Sequence, residues 1–173
     1  MAKFFIVIDM QNDFVTGSLA NPAAEAIVGN IAKSLKRARA EGENIIFTRD
    51  THNEKYLETT EGKHLPVTHC VKGTPGWEIV PELMKETDEN TIFIDKTHFG
   101  FDGWRKYIKE GDEVTICGTV TSICVCANFS AIKQIEGVEV KYLVDCCADL
   151  SDFGQEAAFR VMDAQQGIKC KYI

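Results

Sequence analysis

Six short apolar runs, with helix-patterned segments between them, set the limits on what this chain can fold into. They are Lys3–Asp9, Asn44–Arg49, Thr91–Asp95, Glu113–Gly118, Val138–Asp145 and Ile168–Ile173. Most are nearly continuous Ile, Val, Phe and Leu rather than alternating, the pattern of strands buried on both faces of a parallel sheet. In Ala23–Ala40, the residues Ala24, Ile27, Val28, Ile31, Leu35 and Ala38 recur at helical spacing, and Gly42 stands as the stop. Asp152 followed by Gln155 resembles a capping box ahead of the stripe Ala157, Ala158, Val161 and Met162. Thr74-Pro75 reads as a cap and first turn, with Pro81 holding that helix to short pieces. Ser122–Ile135 is apolar nearly all round and is expected to be a central helix. Strands alternating with helices predict an open α/β sheet with helices on both faces. With 173 residues, there is room for one domain over 1–173.

A formal charge of −7 and the lack of a basic block argue against nucleic acid as a partner. No stretch reaches the roughly eighteen apolar residues of a membrane span. The first apolar run is stopped by Asp9 and reads as no secretory signal. The seven cysteines are therefore expected to be free thiols in a reducing compartment, the cytoplasm.

Open parallel sheets bind their ligands at the carboxyl ends of the strands. The residues at those ends are Asp9, Asp50, Lys96 and the Gly118–Cys124 segment: two carboxylates, an amine and a thiol. Cys124 follows a strand and opens a helix, where unpaired N–H groups lower a thiol's pKa and support an oxyanion. Simple packing is the competing role for any buried cysteine, and it is the role expected of Cys117, Cys146, Cys147 and Cys170. Cys126 lies about 200° around the helix from Cys124 and faces elsewhere. The polar stretch Thr51–Gly73 holds three of the four histidines. Within or beside it, Asp50, His52, Glu61, His64 and His69 are ligand types that suit Zn, Fe or Mn, although a solvated polar loop would contain the same residues.

Taken together, these residues resemble the isochorismatase-like cysteine hydrolases, and within them the nicotinamidase branch. Asp9-Met10-Gln11-Asn12-Asp13-Phe14 is similar to the family's D-x-Q-x-D-F opening, and Lys96 follows a strand as the family lysine does. Gly118-Thr119-Val120-Thr121-x-x-Cys124-Val125 resembles its G-x-x-T-x-x-C-V nucleophile motif. Asp50-Thr51-His52 and His69-Cys70-x-x-Gly73-Thr74-x-Gly76 resemble the nicotinamidase D-x-H … H-C-x-x-G-T-x-G pattern. The resemblance implies a six-stranded parallel sheet of order 3-2-1-4-5-6 in a Rossmann-like fold. It implies a catalytic triad of Asp9, Lys96 and Cys124, a cis Thr119–Val120 peptide, and an oxyanion hole from the N–H groups of Val120 and Cys124. It maps Asp50, His52 and His69 to the ligands of one divalent metal ion, zinc foremost with iron or manganese as the others. It places Glu61 where some members have a fourth ligand and others a histidine, with His64 in reserve. Phe14, Phe99 and Phe101 would line the pocket.

The implied activity is hydrolysis of nicotinamide, or a related small amide, through a cysteine thioester, as a step of NAD metabolism. The implied assembly is a homodimer or homotetramer. An isochorismatase or carbamoyl amidase is the alternative within the fold, and a thiol-based redox-sensing binding protein the alternative outside it. Two departures stand out. The chain is shorter than many relatives, and Pro66-Val67-Thr68 occupies the place of a substrate-stacking Trp or Phe. Trp77 and Trp104 are the remaining aromatic substitutes.

Overall fold

Residues 1–171 are described by a computed structural model. The strands are β1 (Lys3–Ile8), β2 (Asn44–Asp50), β3 (Ile92–Lys96), β4 (Glu113–Thr119), β5 (Glu139–Ala148) and β6 (Ile168–Cys170). The helices are α1 (Asn12–Val15), α2 (Pro22–Ala40), α3 (Thr60–His64), α4 (Pro81–Met84), α5 (Cys126–Lys133) and α6 (Asp152–Ala164). All strand pairs are parallel, in the order β3-β2-β1-β4-β5-β6. The order turns back at β1, where Ile8 lies opposite both Thr48 of β2 and Gly118 of β4.

Strands with apolar side chains on both faces need cover on both. Helix α2 packs on β2, β4 and β5 and against α4, while α5 packs on β5 and against α6. Right-handed crossovers that diverge from β1 put these two groups on opposite faces. Ile6, Val7, Ile8, Ile46, Phe47 and Ile116 are fully enclosed between them.

Several boundaries differ from the sequence reading. Helix α2 starts at Pro22, with the Asn21 side chain accepting from the Ala23 N–H, and Gly42 at φ +74 follows its end. At α6 the cap is Ser151, which accepts from the Gly154 N–H, so Asp152 is the first helical residue and the Asp152/Gln155 box does not form. Thr74-Pro75 opens a turn rather than a helix, and Pro81 instead begins α4. The single helix expected over Ser122–Ile135 is split into a π-helical turn, Thr121–Val125, and then α5. β5 runs three residues further than expected, through Ala148. The last expected strand included residues 172–173, which lie outside the described residues. Among the described residues, no helix is long and apolar enough to cross a membrane.

Candidate active site

The carboxyl ends of β1, β3 and β4 bring Asp9, Lys96 and Cys124 together. Asp9 leaves β1 at φ +50, a left-handed turn that directs its side chain across the strand ends. Thr48 of β2 donates to Asp9 Oδ1 at 2.6 Å, and Lys96 Nζ lies 2.6 Å from Oδ2. The same ammonium is 3.7 Å from Cys124 Sγ, 3.6 Å from Asp50 Oδ1 and 3.1 Å from the His98 carbonyl. All three side chains are buried.

Burial dominates their electrostatics. It pushes the Asp9 carboxyl up even though Lys96 pulls it down. It pushes the Cys124 thiol well up, helped by the Asp9 charge and opposed by Lys96. For Lys96, burial acts against the charge, but Asp9, Cys124 and Asp50 overcome it and hold the ammonium well above its usual range. The cluster sets a carboxyl and an ammonium in close contact beside a thiol.

The turn that carries Cys124 is fixed by buried polar groups. Thr119–Val120 is a cis peptide at its start. Asp149 accepts the Ser122 N–H at 2.6 Å, and Gln155 accepts from the Thr121 hydroxyl at 2.8 Å. Asn128, one helical turn beyond Cys124, donates to the carbonyls of Cys124 and Phe99 and accepts from the Phe101 N–H and the Trp104 indole. All four of its hydrogen-bonding positions are used.

A second cluster abuts the first. Asp50 Oδ2 is 3.0 Å from His52 Nε2 and 3.6 Å from His69 Nε2, and Glu61 Oε1 is 3.8 Å from each imidazole. Their ligand atoms lie within 4.8 Å of one another. A tetrahedral zinc with bonds of about 2.1 Å needs ligand separations of about 3.4 Å, so the spacing fits such an ion. His69 Nδ1 is tied to the Val67 carbonyl at 2.8 Å, which leaves Nε2 facing the cluster. Burial works against the Asp50 charge, but hydrogen bonds from His52 and His69 and the Lys96 charge hold its carboxyl well below the usual carboxylate range. His64 is exposed, bonded through Nδ1 to the Thr60 carbonyl, and stands outside the cluster that Glu61 joins.

The opening motif supports both clusters. Gln11 donates to the carbonyls of Asp50 and Trp77 and accepts the Asp50 N–H. Asp13 accepts the N–H of Cys70, the residue after His69, and its carboxylate fills the space that a Cβ at Gly76 would enter.

Both clusters face a cavity of about 530 Å³ lined by Asp50, Glu61, His69 and Cys124. Its apolar wall includes Phe14, Leu19, Leu65, Phe99, Val120 and Ile123. Phe14 and Phe99 are therefore where expected, but Phe101 is not. Its ring packs edge-on against Trp104 at 5.3 Å, because its backbone is pulled inward by Asn128. Neither tryptophan reaches the cavity. The Trp77 indole donates to Thr51 and its ring stacks under Arg49, while the Trp104 indole is bound to Asn128. The supporting roles of Thr48, Asp149 and Asn128 were not foreseen. Only Asn128 had a usable signal, its four-residue spacing from Cys124, which places both on one helical face.

Residues 3–170 match the isochorismatase domain. The chain is 28% identical to the nicotinamidase of Saccharomyces cerevisiae, over 87% of this chain and 89% of that one. It is also 28% identical to the nicotinamidase/pyrazinamidase of Mycobacterium tuberculosis, over 92% and 94% of the two chains. Among solved structures, the pyrazinamidase of Pyrococcus horikoshii in complex with zinc superposes with a TM-score of 0.83 at 28% identity, covering 99% of this chain and all of that one. With sheet order, strand-end residues and sequence match in agreement, the chain belongs to the isochorismatase family.

Proposed function

We propose that the protein is a cysteine amidohydrolase that converts nicotinamide, or a related small aromatic amide, to the carboxylic acid and ammonia. The observation that carries this reading is that the Asp9–Lys96–Cys124 cluster and the two-imidazole, two-carboxylate cluster open on one apolar cavity. The amidase names of the relatives agree with it.

In this reading Asp9 takes the Cys124 proton, and Sγ attacks the amide carbonyl carbon. The N–H groups of Val120 and Cys124 hold the resulting oxyanion. Asp9 returns the proton to the departing nitrogen, so ammonia leaves and a thioester remains. A water, deprotonated by the same carboxylate, then releases the acid and restores the thiol. Lys96 and Thr48 keep Asp9 oriented, and Lys96 keeps it ionised despite burial. Asp50, His52, Glu61 and His69 would hold a divalent ion, zinc foremost, which when bound orients a ring nitrogen of the substrate. Among the described residues, no arginine or lysine lines the cavity. That favours an uncharged amide over the carboxylate-bearing substrates of isochorismatase or carbamoyl amidase chemistry.

Ammonia release from nicotinamide tests the proposal directly. Cys124→Ala is expected to lower turnover by at least about 10³-fold with substrate binding retained. Substantial residual turnover would remove Cys124 as the nucleophile. No release from nicotinamide alongside turnover of a ureido or vinyl-ether substrate would replace the substrate class.

A further inference from the structure

The ion-binding cluster stands between two cavities. Asp50, Glu61 and His69 face the reaction cavity, whereas His52 and the same Glu61 face a second one of about 570 Å³. The two differ in chemistry. The wall on the reaction side is largely Phe, Leu, Val and Ile, and a hydrated cation gains nothing from such a surface. The second cavity is rimmed by exposed oxygen and nitrogen bearers, among them Asn53, Thr59, Thr60, Thr97 and His98. Groups of this kind replace waters one at a time as an ion sheds its shell. The cation on that rim, Lys72, is held by Asp95 at 2.8 Å and does not stand against an incoming ion unopposed.

We infer that this second cavity is a metal port, through which a divalent ion reaches and leaves Asp50, His52, Glu61 and His69 without passing through the substrate cavity. The inference rests on reading those four residues as ligands. Its physical basis is that Glu61 lines both cavities and His52, of these two, only the second, so two of the four ligand residues border the cavity whose rim carries polar side chains. The functional result is that the ion exchanges while substrate or acyl-enzyme fills the reaction cavity.

The test is the rate at which a chromogenic chelator strips zinc from the loaded protein. One sample is alkylated at Cys124 with N-phenylmaleimide, which plugs the reaction cavity. Cys124→Ala treated in the same way controls for modification of the half-buried Cys126 and Cys170. Two variants, Asn53→Trp and Thr97→Trp, crowd the second cavity from different segments. Alkylation is expected to leave the release rate unchanged. Each tryptophan is expected to slow both release and loading by roughly tenfold, or about 1.4 kcal/mol in the barrier. Equilibrium zinc affinity should be preserved, because a port changes rates in both directions equally. Release that stops on alkylation, or that neither tryptophan slows, overturns the port. A protein that holds no zinc at equilibrium overturns the ligand assignment itself, and with it the port.

Discussion

In the proposed mechanism, Lys96 is the residue on which the site's acid–base behaviour turns. Asp9 has to be ionised to take a proton, and burial pushes its carboxyl above the ordinary 3.8 while Lys96 draws it down. Acidification is therefore expected to remove activity at a pH above the usual carboxylate range. Lys96→Met takes away the main lowering influence, so the acid limb of kcat/KM is expected to move to higher pH, as a pH–rate profile would show. A limb that does not move would separate Lys96 from Asp9. Asn128 belongs to the same scale. Asn128→Ala leaves two carbonyls, an N–H and an indole without their partner, at an expected cost of about 3 kcal/mol in urea unfolding. Turnover should fall with it, because the Cys124 turn and the Phe99 loop lose their shared tether.

The proposed catalytic residues were legible because aspartate, lysine and cysteine at the ends of buried strands are chemically out of place. Their supports were not. A Thr48, an Asn128 or an Asp149 is an ordinary residue until the fold brings segments dozens of residues apart into hydrogen-bonding range. The choice between Glu61 and His64, three residues apart in α3, was also closed to sequence reading. Both sit on nearly the same helical face, and only the packing of that helix sends one inward.

At the level of elements, the strands read well, since short apolar runs alternating with helices are best covered on both faces of a parallel sheet. Helix starts read less well. Ser151 and Asp152 are both good caps, and nothing local decides between them. The π-helical turn at Thr121–Val125 has no sequence signature at all. The close approach of β4 to β1 is where the sheet is least forgiving. Gly118 sits at φ +122, and a Cβ there would come within 2.1 Å of the Ile8 carbonyl oxygen. Gly118→Ala is therefore expected to cost roughly 3 kcal/mol, by crowding and backbone strain together. Because the shift falls between Asp9 and Cys124, turnover should drop even in whatever fraction folds. A denaturation curve and a turnover measurement on the soluble fraction would check both.

Across the whole molecule, the predicted strand order held, and it is that order which makes neighbours of residues as distant in sequence as Asp9 and Cys124. The shared ammonium has a consequence in electroneutrality. Asp9, Asp50 and Glu61, when ionised, set three negative charges around the single positive charge of Lys96, leaving an excess that a dication would cancel. Lys96 thus competes with the ion for Asp50 while serving the thiol. Lys96→Met should therefore bind zinc more tightly, by roughly tenfold or about 1.4 kcal/mol in a chelator competition, even as its turnover falls. Affinity for the ion and competence in the reaction would then be opposing demands met at one nitrogen atom.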